Sequence, residues 1–360
     1  MELLLHIGTE KTGSSYLQTI LVSSRSQLEN DGIYFPKDLN YEHRMRRGEV
    51  GPGNGIEVQY AAARGDKERI HRLLSGWMCD ADEKNCSRIL LSTETMTAAL
   101  QHENGFSTLI RACEEAGITR RNYLILIRDP VDQALSLYKH RAKFGKAPRL
   151  DTWIKENYQI DKQVKGVCRN IDADPKGSLA LEPYSSDGSR LANTFFSGWL
   201  GVPVPPFDLE RRINVSLTLS ELELIRCSAE SALEIVQPLH RRLQEIPRQL
   251  KANDTEYENW CKQIISKHLS RSREFWDELF ERLVNPPSIL ETKVIDQNVE
   301  FSSEEPPPLR FSEAQIRAFF RVVEDSNSIK TRIRTWYRKY IRRPVGPLVK
   351  QIRRLHARLS

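Results

Sequence analysis

Residues 8–18 read GTEKTGSSYLQ and hold the parts of an anion site. Gly8 and Gly13 have the spacing of a Walker A loop. The position after Gly13 is Ser14, however, and the lysine lies three places upstream of it, at Lys11. A glycine turn from strand to helix gathers backbone N–H groups around one point, with the positive end of the helix dipole behind them. Ser14 and Ser15 add hydroxyl donors, and Lys11 can reach over a bound anion as a point charge. The plain alternative is an ordinary strand-to-helix turn with an exposed lysine. A second cluster lies in LILIRDPVDQALSLYKH, where Arg128 closes an apolar run and Ser136 follows two helical turns later. The planar fork of Arg128 suits a phosphate, and Ser136 can donate from the adjoining helix. Here the alternative is Arg128 as capping partner of Asp129, with Ser136 solvated.

These residues need a scaffold that brings strand ends together. ELLLHIG is a short apolar run suited to a buried parallel strand. From Ser14 to Asn30, apolar residues at Tyr16, Leu17, Ile20, Leu21 and Leu28 have helical spacing, starting at serines that make good N-caps. DGIYFP ends that helix. A second run, Ile89–Leu91, a third, NYLILI, and a fourth near Ser178–Leu181 alternate with helical segments. Such alternation predicts α/β architecture, a central parallel sheet covered by helices, in which ligands bind beyond the carboxyl ends of the strands. Residues 37–59 include GEVGPGNG and read as an irregular, flexible substrate loop. After about Leu219 the chain turns helix-rich, as an outer cover or as a subdomain.

The two clusters together resemble the sulfotransferases that use 3′-phosphoadenosine-5′-phosphosulfate. KTGSS is similar to that family's loop for the 5′-phosphosulfate, and RDPVDQALS to its 3′-phosphate motif. HIGTEKTGSSYLQ and DGIYFP are similar to segments of the bacterial branch, as are RRINVSLTLSELELIR and EDSNSIKTRIR. The resemblance spans roughly residues 2–335, with residues 220–335 mostly helical, and only the two cofactor motifs are specific. It implies a P-loop-like three-layer fold. It also implies Lys11 at the oxygen bridging phosphate and sulfur, and Thr12, Gly13, Ser14 and Ser15 around the 5′-phosphate. Arg128 and Ser136 would hold the 3′-phosphate, and Tyr184 would contact the donor. The loop is then no damaged Walker A, and no convincing Walker B carboxylate follows a strand. A later Arg-Lys-Gly segment of the cytosolic branch has no counterpart here.

Sulfuryl transfer also requires a base for the acceptor hydroxyl. Ser92, Thr93 and Glu94 stand where cytosolic members have Lys-Thr-His, so Glu94 is the candidate base. A glutamate there favours a hydroxyl on a carbohydrate or glycolipid. Its plain alternative is a first-turn acid of the next helix. His43 is the rival base, and His6 reads as a core residue. No metal is required. A P-loop kinase using ATP and magnesium, or a non-catalytic tethering protein of the same fold, are the competing classes.

The whole chain has net charge +6, but residues 326–360 hold eleven Lys or Arg and no Asp or Glu, which leaves the rest at −5. Residues 336–360 form a basic tail with interleaved aromatic and aliphatic side chains, suited to an anionic membrane surface or to packing on the body. The acidic body argues against nucleic acid. Six scattered cysteines read as reduced thiols, no apolar run reaches the roughly 18 residues of a membrane span, and the N-terminus reads as an immediate first strand. The expectation is a cytoplasmic protein, peripheral at the inner face of the membrane if the tail binds there.

Overall fold

The computed structural model describes residues 1–38, 40–46, 51–145, 147–206, 217–283 and 305–325. Their tertiary contacts divide the chain into two compact units. The first comprises Met1–Gln133, Gln159–Ile213 and Ser270–Ile295. Its centre is a sheet of five parallel strands: β1 (Glu2–Ile7), β2 (Ile33–Tyr34), β3 (Arg88–Thr93), β4 (Arg120–Ile127) and β5 (Gly177–Pro183). Their order across the sheet is β2-β3-β1-β4-β5. The fold is therefore α/β and consistent with a three-layer arrangement.

The strands are continuous apolar runs because both faces of the sheet are covered. Alternation along a strand sends Leu4, Leu90, Leu124 and Leu126 to one face. There they pack with Leu17, Ile20 and Leu21 of the Ser14–Ser23 helix and with Phe195 and Phe196. Leu3, Leu5 and Ile7 point the other way and are equally buried. From β1 the chain moves to β2 and β3 on one side, then to β4 and β5 on the other. In open parallel sheets such a reversal marks the carboxyl ends of the central strands as the place where ligands bind.

Several local expectations are corrected. The helix expected from Ser14 to Asn30 is two helices, Ser14–Ser23 and Arg25–Asn30, separated at Ser24. IY within DGIYFP is a strand, too short at two residues for any alternation to reveal. The expected irregular segment 37–59 carries helix Glu42–Arg46 and the start of helix Ile56–Arg64. Its residues Gly51 and Gly53–Ile56 are buried.

The second unit comprises Ala134–Tyr158, Asn214–Leu269 and Asp296–Ser360, and the regular elements among its described residues are helices. Helix Leu219–Ser231 opens with a capping box between Thr218 and Glu221. The Glu221 carboxylate also accepts from Lys251 Nζ at 2.9 Å and Gln315 Nε2 at 2.8 Å, all three side chains being buried. The helix-rich half is thus divided: helix Arg273–Glu281 belongs to the first unit, where Arg282 pairs with Asp172 at 2.7 Å. No helix among the described residues is long and apolar enough to cross a membrane. The six cysteines are all free thiols. The basic tail, residues 336–360, lies outside the described residues.

Candidate functional site

The loop after β1 is built by its own side chains and by β4. Gly8 N donates to Thr93 O at 2.7 Å, and a Cβ on Gly8 would come within 2.4 Å of that oxygen. Only glycine lets the loop leave β1 so close to the end of β3. Thr9 Oγ1 donates to Leu126 O at 3.2 Å, and Thr12 Oγ1 to Thr9 O at 2.6 Å. Thr12 is fully buried, and its hydroxyl braces the loop from within. Gln133 Nε2 donates to Glu10 O at 2.8 Å and Arg128 Nη1 to Lys11 O at 2.9 Å. Two carbonyls of the loop are thereby held by side chains from the end of β4 and the helix after it.

Lys11 and Gly13 both have left-handed backbone, with φ of 68° and 82°. Glycine adopts that conformation freely, but a lysine there is an outlier held by its surroundings. Gly13 has a second reason to lack a side chain: a Cβ would lie 2.6 Å from Leu191 Cδ2 and 3.3 Å from Tyr184 Cε2.

The helix that follows has Gly13, not a serine, at its N-cap, with no side-chain cap and no acidic residue in its first turn. The expectation that Ser14 caps the helix is corrected: Ser14 is the first helical residue. Its Oγ is buried and has no hydrogen-bond partner among the described residues. An uncapped helix start with an orphaned buried hydroxyl is the local chemistry of an anion cradle.

Glu94 follows β3 directly. Its carboxylate accepts from Ser15 Oγ, and its backbone N donates to Pro52 O at 3.2 Å. Burial pushes the Glu94 carboxyl above its ordinary range; the Ser15 hydroxyl and the Lys11 charge offset part of this, and Glu10 adds to it. The Pro52–Asn54 segment continues the work of β2. β2 pairs only with Arg88 and Ile89 of β3. Farther along the same edge, the Asn54 amide donates to Leu90 O at 3.0 Å and to Pro36 O at 3.3 Å, and accepts from Ser92 N at 2.8 Å. One side-chain amide thus replaces a missing strand. Gly53, with φ of 89°, allows the approach, since a Cβ there would fall 2.0 Å from Ser92 O.

Arg128 follows β4, and Tyr184 follows β5. Tyr184 N donates to Ile127 O at 2.7 Å, and the Arg128 guanidinium lies 5.1 Å from the Tyr184 ring centre. Asp129, not Arg128, caps the next helix, its carboxylate accepting from Asp132 N at 2.8 Å. The first unit therefore brings together Lys11, Thr12, Gly13, Ser14, Ser15, Glu94, Arg128 and Tyr184. Ser136 lies in the second unit, half-buried on helix Pro130–Ala142. His43 is exposed on helix Glu42–Arg46. His6 is buried, bonded to Ser92 Oγ at 2.9 Å, and held neutral because burial lowers it to about 3. Asn54 and Gln133 escaped sequence reading, since an isolated Asn or Gln carries no local pattern. Among the described residues, no group of three or more His, Cys, Asp or Glu is arranged to hold a metal ion.

Compared with protein-family models, curated proteins and solved structures, the chain matches none.

Proposed function

We propose that the chain is a sulfotransferase that moves a sulfuryl group from 3′-phosphoadenosine-5′-phosphosulfate to a hydroxyl of a carbohydrate or glycolipid. One observation carries the reading most: the short loop that bears Lys11 ends in an uncapped helix start with the orphaned Ser14 hydroxyl, and Ser15 beside it is bonded to the half-buried carboxylate of Glu94. An anion cradle and a general base side by side are what transfer to a hydroxyl demands.

The donor supplies a sulfuryl group on a phosphate–sulfate anhydride. The amides of residues 12–15, with the Ser14 and Ser15 hydroxyls, hold the 5′-phosphate. Arg128 and Tyr184 contact the nucleotide from the β4 and β5 ends; a guanidinium has five donors, so the bond to Lys11 O leaves others for a phosphate. The role of Ser136 rests on the resemblance alone. In the transfer, the acceptor oxygen bonds to sulfur and its proton passes to Glu94. The bond from sulfur to the bridging oxygen breaks, and that oxygen keeps the electron pair. Lys11 stabilises the charge that appears there.

Transfer of labelled sulfate from the donor to a panel of glycans and glycolipids tests the reading. Label should reach at least one hydroxylated acceptor, and neither Lys11→Met nor Glu94→Gln should support comparable transfer. Transfer to none of them, or transfer untouched by both substitutions, contradicts it.

A further inference from the structure

We infer that Ser15 links the loop to the base: its single hydroxyl proton holds Glu94 while the loop is empty and passes to the bound anion when the loop fills. This inference rests on the sulfotransferase reading and adds a coupling to it. A serine hydroxyl has one proton and donates to one acceptor at a time. In the structure that acceptor is Glu94 Oε1. Ser15 is also in the first turn of the uncapped helix, next to the orphaned Ser14 hydroxyl, where an anion would be cradled.

The consequences follow from charge. Burial opposes the ionised form of the Glu94 carboxyl most; Ser15 and Lys11 favour that form, and Glu10 opposes it. Pro52, from the segment beside β3, accepts from the Glu94 backbone N and carries no charge. An anion in the loop withdraws the Ser15 proton, draws on the Lys11 charge and adds negative charge of its own. All three changes make Glu94 more basic. The ionised carboxylate is therefore a stronger base once the donor is seated, and the fraction that stays ionised takes the acceptor's proton. By linkage, nucleotide binding and protonation of Glu94 favour one another.

Calorimetric titration of the full chain with adenosine 3′,5′-bisphosphate, in buffers of different ionisation enthalpy, counts the protons exchanged. The nucleotide's own phosphates also titrate, and the same titration of Glu94→Gln subtracts them. The wild-type chain should take up more protons than Glu94→Gln. In Ser15→Ala the excess should fall to roughly half or less, because the bond to Glu94 is already gone before the ligand arrives. Equal exchange by wild-type and Glu94→Gln chains overturns the inference, as does an excess unchanged in Ser15→Ala. Should Glu94→Gln fail to fold, by far-ultraviolet circular dichroism, the comparison of wild type with Ser15→Ala decides alone. If the nucleotide does not bind, the sulfotransferase reading falls. Inorganic pyrophosphate then becomes the probe, and no Glu94-dependent uptake with it, or no binding, overturns the coupling as well.

Discussion

Lys11 joins a cationic side chain to a left-handed backbone, φ 68°. Strain of that kind costs on the order of 1–3 kcal/mol and persists where the surroundings impose it. Here Arg128 holds the Lys11 carbonyl and Gln133 that of its neighbour Glu10. Lys11→Met should lower kcat about 10²–10³-fold, the magnitude of losing one group that stabilises transition-state charge. Steady-state kinetics with a hydroxyl acceptor reads this. For Glu94, substitution by Gln should lower kcat about 10²–10⁴-fold while leaving nucleotide affinity at or above that of the wild type. Wild-type activity should rise with pH through a midpoint above the ordinary carboxylate range, since burial raises Glu94. That limb should be absent from Glu94→Gln. The same shift sets the sign of a stability effect. A carboxyl raised in the folded state binds more protons there than in the unfolded chain, so stability falls as pH climbs from the unfolded to the folded value. Denaturant titrations should show Glu94→Gln gaining on the wild type across that window; a constant difference at all pH values would contradict the burial.

At the scale of elements, β3 depends on a substitute partner. Asn54→Ala should leave Leu90 O, Ser92 N and Pro36 O without their side-chain partner and cost about 2–3 kcal/mol in urea unfolding. Gly53→Ala should also destabilise, since φ is 89° and Ser92 O blocks the Cβ. These positions show what sequence could and could not reveal. The strand–loop–helix opening was legible because glycines, lysine and serines lie within a few residues and apolar periodicity marks both flanks. β1, β3, β4 and β5 were legible as apolar runs. β2 was not, because two residues carry no period. The partners of Asn54 and Gln133 are distant along the chain, 36 and 123 residues away at Leu90 and Glu10, so nothing local marks either residue. The neighbouring positions of Glu94 and Ser15, 79 residues apart, likewise come from strand order rather than from spacing.

For the whole molecule, the charge division between body and tail carries a prediction of its own. We propose that residues 336–360, which lie outside the described residues, attach the protein to anionic membrane surfaces. Sedimentation with vesicles containing phosphatidylserine should retain the full chain at low salt and lose it when these residues are deleted; equal retention of both would contradict the proposal. Composition made the division visible, whereas the assignment of helix Arg273–Glu281 to the first unit depends on contacts with a distant helix that no composition reports. The central claim is that one loop binds a sulfated or bisphosphorylated adenosine, and nucleotide binding tests it most directly. Adenosine 3′,5′-bisphosphate should raise the Tm of the wild-type chain without magnesium, more than ATP with magnesium does, and the rise should shrink in Lys11→Met and in Arg128→Ala. A larger rise with ATP and magnesium, or no response to the bisphosphate, would contradict the account.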